Sequence, residues 1–113
     1  MSRDYRVYLE DMLEATRKIS AYINGNSEKW HEDEKTKDAV LRNLELIGEA
    51  AKNIPESIRG KNPRIDWRKL AGLRDILIHQ YFGIDDEIIL DIVRNKIPTL
   101  TVHLREALKN ISP

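Results

Sequence analysis

The sequence predicts an all-α fold, a four- to five-helix up-and-down bundle, on three observations. Apolar residues recur at three- and four-residue steps along nearly the whole chain. No alternating apolar–polar run persists long enough to make a strand. Glycine and proline are few (5 and 4) and cluster between the periodic segments. At 113 residues, the span 1–113 is one domain, large enough for a core and too small for two.

Each element has its own signal. Residues 3–23 carry Leu9, Met12, Leu13, Thr16, Ile19 and Ile23 as one stripe, and Asn24, Gly25 and Asn26 close it in residue types that tolerate a helix C-terminus. Ser27 is a candidate cap for a short turn through Trp30. Asp33 is the expected N-cap of a long helix to about residue 53, whose Val40, Leu44, Ile47, Ala51 and Ile54 make the seam of a helix packed along another. Pro55 interrupts it, and residues 59–63 read as a loop. Asp66 is the expected cap of the next helix, with Trp67, Leu70, Leu73, Ile76 and Leu77 facing inward and Phe82-Gly83 closing it. Asp85 or Asp86 then opens a helix carrying Ile88, Ile89, Ile92 and Val93 and ending near Asn95. Pro98 suits the first turn of a last helix with Leu100, Leu104 and Leu108.

Composition narrows the chemistry. With no cysteine there is neither a disulfide framework nor a thiolate metal site. The first residues lack the apolar run of a signal peptide, and no apolar stretch reaches bilayer length, so a cytoplasmic protein is expected. His31 and His103 have no second ligand at helical spacing, and Asp85, Asp86 and Asp91 lack a calcium-type loop, so no metal and no cofactor are expected. Nineteen basic and 19 acidic residues balance, against the basic excess usual in nucleic-acid binders. The distribution is uneven, however. Arg59, Lys61, Arg64, Arg68, Lys69 and Arg74 face only Asp66 within residues 59–74, while Asp85, Asp86, Glu87 and Asp91 form an acidic patch.

The most informative stretch is Arg74-Asp75-Ile76-Leu77-Ile78-His79-Gln80-Tyr81. A core helix seldom spends three large polar groups, because each costs free energy when buried unpaired. Arginine is a permanent cation shaped for phosphate, histidine titrates near neutral pH, and tyrosine offers a hydroxyl. Arg74 and Tyr81, seven residues apart, share a helix face. His79 stands roughly 140° from Arg74 around an ideal helix, so one straight helix does not aim both at a single phosphorus atom. Either the long arginine reaches round, or a second copy supplies the missing group across a twofold axis. We favour a homodimer with this helix near the interface. In the second long helix Arg42, Glu45, Glu49 and Lys52 recur away from the apolar seam, and Gly48, Ala50 and Ala51 allow another helix to approach. A glutamate on that line could pair with Arg74 or orient His79. Ordinary intrahelical pairs are the stronger reading for Glu45 and Lys52, and stand level with a site role for Arg42 and Glu49.

Arg74-x4-His79-x-Tyr81 resembles the signature of HEPN domains, in particular of HepT-like toxins paired with a minimal nucleotidyltransferase antitoxin. Asp75 fits the polar position that often follows the arginine. Residues 42–55, from Arg42 through Gly48-Glu49-Ala50-Ala51 to Pro55, are similar to that group's second helix. Asp66-Trp67-Arg68 through Gly83 is similar to its third, and Asp91-Ile92-Val93 with Ile97-Pro98 to its end. The resemblance implies a dimerising bundle with both motifs lining a cleft. It implies a metal-independent ribonuclease, the toxin of a type VII toxin–antitoxin pair, silenced when the antitoxin transfers AMP from ATP to Tyr81. In this reading Arg74 and His79 are catalytic, Tyr81 is the modification site or positions the phosphate, and Asp75, Arg42 and Glu49 support them. Two rivals remain on the residues alone. One is a non-catalytic nucleotide-binding or substrate-presenting subunit of a nucleotidyltransferase complex, and the other is a structural helical dimer.

Overall fold

The computed structural model describes residues 4–24, 28–79 and 86–111, with Ile76, Ile78 and His79 described in their backbone alone. Arg3, Gly25, Asn26, Ser27, Tyr81, Phe82, Gly83 and Asp85, which carry some of the sequence expectations, lie outside the described residues. The described chain is helical, with no strand: α1 (Tyr5–Asn24), a single 3-10 turn (Trp30–Glu32), α2 (Glu34–Lys52), α3 (Glu56–Lys61), α4 (Trp67–His79), α5 (Asp86–Asp91) and α6 (Ile97–Lys109). The all-α bundle expected from periodicity is the fold observed.

The caps are those the sequence marks. The Asp33 carboxylate accepts from the Thr36 backbone N–H and the Thr36 hydroxyl. Asp66 accepts from the Lys69 N–H at 3.1 Å. Each satisfies an amide that the first helical turn leaves without an intrahelical acceptor.

Two boundaries differ from expectation. Residues 56–61 coil into α3 although Gly60 falls within them, so part of the expected loop is helical. The helix described from Asp86 does not end near Asn95. It widens into a π turn over Ile92–Lys96, in which the Ile97 N–H donates to the Ile92 carbonyl, and runs directly into α6. Pro98 has no N–H to offer the carbonyl four residues back. The chain absorbs that missing donor by a one-residue register shift rather than a break.

α1 packs on α2 and on α6, and α2 carries α4 on its other side. Leu9, Met12 and Ile19 of α1, Val40, Leu44 and Ile47 of α2 and Leu104 of α6 are fully buried between them. Each such side chain contributes on the order of 1.5–3 kcal/mol. Trp30 and Trp67 are buried anchors, and the Trp67 indole donates to the Asn62 carbonyl at 3.0 Å. α4 therefore lies toward an edge of the bundle. It buries Trp67, Leu73 and Leu77, while Leu70 is only half-buried.

Two helical glycines carry opposite messages. A Cβ on Gly48 would sit 2.9 Å from both the Arg74 nitrogen and the Leu70 carbonyl oxygen, so the absence of a side chain lets α2 and α4 touch backbone to backbone. A Cβ on Gly72 would meet no described atom within 4 Å. Gly72 costs the helix roughly 1 kcal/mol relative to alanine, and no packing contact within the described chain accounts for it.

Candidate active site

α2 and α4 present the polar residues of the motif along their contact line. The approach at Gly48 places Arg74 directly over α2, and the next residue, Glu49, takes its guanidinium. Arg74 Nε lies 2.8 Å from Glu49 Oε2, with both side chains partly exposed. One turn further along α2, Lys52 Nζ contacts Asp75 Oδ1 at 3.3 Å, and Arg74 Nη1 lies 3.9 Å from the same oxygen. The four charges form a short alternating chain across the helix pair. Exposed pairs of this kind contribute about 0–1 kcal/mol each, so their effect is chiefly geometric. Glu49 holds the Nε side of the guanidinium, and Arg74 retains N–H groups that can donate to a phosphate.

The expectations from sequence are met in part. The close approach at Gly48 and a glutamate on that line pairing with Arg74 are both observed. Arg42 instead pairs within its own helix, 3.5 Å from Glu45, and the described contacts do not tie it to Arg74. Lys52, by its spacing an ordinary intrahelical charge, bridges to α4. The signal for that bridge is present, since Lys52 follows Glu49 by three residues and Asp75 adjoins Arg74, but two such lines must be aligned before the pairing is visible. The open position at Gly72 has no such signal in the sequence pattern.

α4 runs unbroken to His79. The roughly 140° separation between positions 74 and 79 therefore stands in the folded chain. Tyr81 lies beyond the described residues. The groove of about 340 Å³ between α1 and α2, lined by Tyr8, Asp11, Leu46 and Glu49 among others, meets the site only through Glu49. Among the described residues no three His, Asp or Glu side chains are grouped to share a metal ion, and no helix is long and apolar enough to cross a membrane.

Comparison with known proteins identifies the family. The family model described as ribonuclease HepT-like matches residues 12–107. A Methanocaldococcus jannaschii protein named as a candidate RNase is 46% identical over 110 residues, which cover 96% of this chain and 91% of that protein. The "Probable ribonuclease HepT" of Thermococcus cleftensis is 44% identical over 101 residues, 88% of this chain and 92% of its own. A candidate RNase of Caldanaerobacter subterraneus is 38% identical over 105 residues, 92% and 94% of the two chains. No solved structure matches the chain significantly. The match spans α2 and α4 whole, with the pair of helices that carries Arg74, Glu49 and His79, and the chain belongs to the HepT-like ribonuclease family.

Proposed function

We propose that this chain is a metal-independent endoribonuclease that works as a homodimer. The observation that carries the reading is the Glu49–Arg74 pair at the Gly48 contact, which holds a guanidinium suited to phosphate on the same helix as a histidine, in a chain of a ribonuclease family. Arg74 binds the nonbridging oxygens of the scissile phosphate and stabilises the charge that develops on them. His79 moves protons. As base it takes the proton of the ribose 2′-hydroxyl, whose oxygen attacks phosphorus; as acid, from either subunit, it protonates the departing 5′-oxygen. The products are a 2′,3′-cyclic phosphate and a 5′-hydroxyl. Asp75 and Glu49 orient Arg74, and Arg42 contributes only general charge to the same helix.

The resemblance extends the proposal to regulation. The chain acts as the toxin of a pair whose partner is a minimal nucleotidyltransferase antitoxin. The Tyr81 phenolic oxygen attacks the α-phosphorus of ATP, pyrophosphate leaves, and the phenolic proton is released. The AMP so attached brings a negative charge that competes with RNA for Arg74.

The test is digestion of mixed RNA by the purified, unmodified chain in excess EDTA, beside His79→Ala. Cyclic-phosphate ends from the parent and none from the variant are expected. Intact RNA with a protein mass that carries no AMP would overturn the nuclease reading in favour of a nucleotide-binding subunit.

A further inference from the structure

We infer that the outer face of α4 is a track for the RNA backbone on one side of the scissile phosphate, an inference that rests on the ribonuclease reading. On a helix of 3.6 residues per turn, Arg68, Gly72, Asp75 and His79 fall within about 60° of one another and span about 16 Å of axis. α2 covers the opposite side of α4, where Gly48 meets Arg74. Arg68 and Asp75 are exposed, and between them the open Gly72 leaves a side-chain-free step on the helix surface. A glycine at the centre of a 13-residue helix, with no described neighbour that its missing Cβ accommodates, fits a surface that something outside the chain approaches closely.

Charge identifies the occupant. Arg68 is an exposed cation in the first turn of α4, and Lys61 and Arg64 are exposed cations in the segment just before it. The turn between them is tight: the Asn62 carbonyl accepts from the Ile65 N–H at 3.2 Å and from the Trp67 indole. That ties the segment carrying Lys61 and Arg64 to the start of α4. The nearby carboxylates are already engaged, Asp66 with the Lys69 N–H and Nζ, and Asp75 with Lys52. The unbalanced end of the face therefore calls for an extended anion. A phosphodiester chain laid from Lys61 past Gly72 toward His79 supplies it, with its closest approach where the helix has no side chain.

The experiment uses the full chain carrying His79→Ala, so that the probe, a fluorescein-labelled single-stranded RNA of mixed sequence, stays intact. Binding is read by anisotropy against salt, and fold by thermal melting. Gly72→Leu and Gly72→Ala should leave Tm unchanged or raise it by a few degrees, since the position is open, while Gly72→Leu weakens RNA binding tenfold or more. Replacing Lys61, Arg64 and Arg68 by glutamine should reduce the slope of log K against log salt by about 2, near 0.7 for each phosphate no longer neutralised.

Unchanged binding by Gly72→Leu overturns the track while leaving the nuclease reading in place. If Gly72→Leu instead splits a dimer in sedimentation without weakening RNA binding, the face belongs to a second copy and the inference falls. A parent that binds no RNA even at low salt overturns the track together with the ribonuclease reading.

Discussion

At the scale of single residues, Gly48 and Glu49 matter for separate reasons that experiment can part. Gly48→Ala must push a methyl group into backbone atoms of α4 rather than into a yielding side chain. The expected loss is about 1–3 kcal/mol, as for other overpacked sites, read as a lowered midpoint in urea, with cleavage falling because Arg74 moves. Glu49→Gln removes a charge from an exposed pair and should barely change Tm. If Glu49 positions Arg74, Glu49→Gln should still lower kcat/KM about tenfold, and adding it to Arg74→Ala should cost nothing more, because the two act as one unit. Equal losses from Glu49→Gln in both backgrounds would show that Glu49 acts elsewhere. Arg74 and Glu49 are both legible in the sequence because helical spacing and a neighbouring glycine mark them. Gly72 is not, because a glycine inside a periodic segment looks alike whether it is packed or open.

At the scale of elements, caps and seams read well, and connections read badly. Asp33, Asp66 and the α2 seam are local signals, fixed by a few residues of chain, and the structure reproduces them. The π turn is not local. It depends on Pro98 withholding a donor while Val93, Ile97 and Leu100 stay buried on both sides of the shift, so tertiary packing keeps the helix continuous where proline alone predicts an end. The Asp33 cap also carries a pH signature. The Thr36 hydroxyl first, then the Thr36 amide, hold the Asp33 carboxyl below its ordinary value of 3.8. A depressed acid stabilises the fold fully above its unfolded value and loses that contribution as pH falls through the folded one. Thermal melts of the parent and Asp33→Ala should therefore differ most near neutrality, with the parent higher, and converge as pH drops below about 3.8. A gap that persists unchanged into acid would mean that the carboxylate's charge is irrelevant to the cap.

At the scale of the whole molecule, the site lies toward the edge of the bundle and away from its densest packing. Leu44, fully buried in α2, should cost about 2–5 kcal/mol on truncation to alanine, whereas Arg74→Ala should leave Tm nearly unchanged. Function can then be dissected in folded variants, and the geometry of α4 supplies the decisive mixture. Positions 74 and 79 stand roughly 140° apart on an unbroken helix, so the two positions lie on different faces of α4. If a twofold dimer builds each centre from the arginine of one protomer and the histidine of the other, inactive Arg74→Ala and His79→Ala chains should restore one another. In a mixed dimer one centre lacks both groups and the other has both. Random exchange of equal amounts makes half the dimers mixed, with one of two centres intact, so activity should return to about a quarter of the parent's. Should each centre draw both groups from one protomer, every centre in the mixture lacks one group and nothing returns. The readout is the rate at which cyclic-phosphate ends appear, after refolding the two variants together and separately.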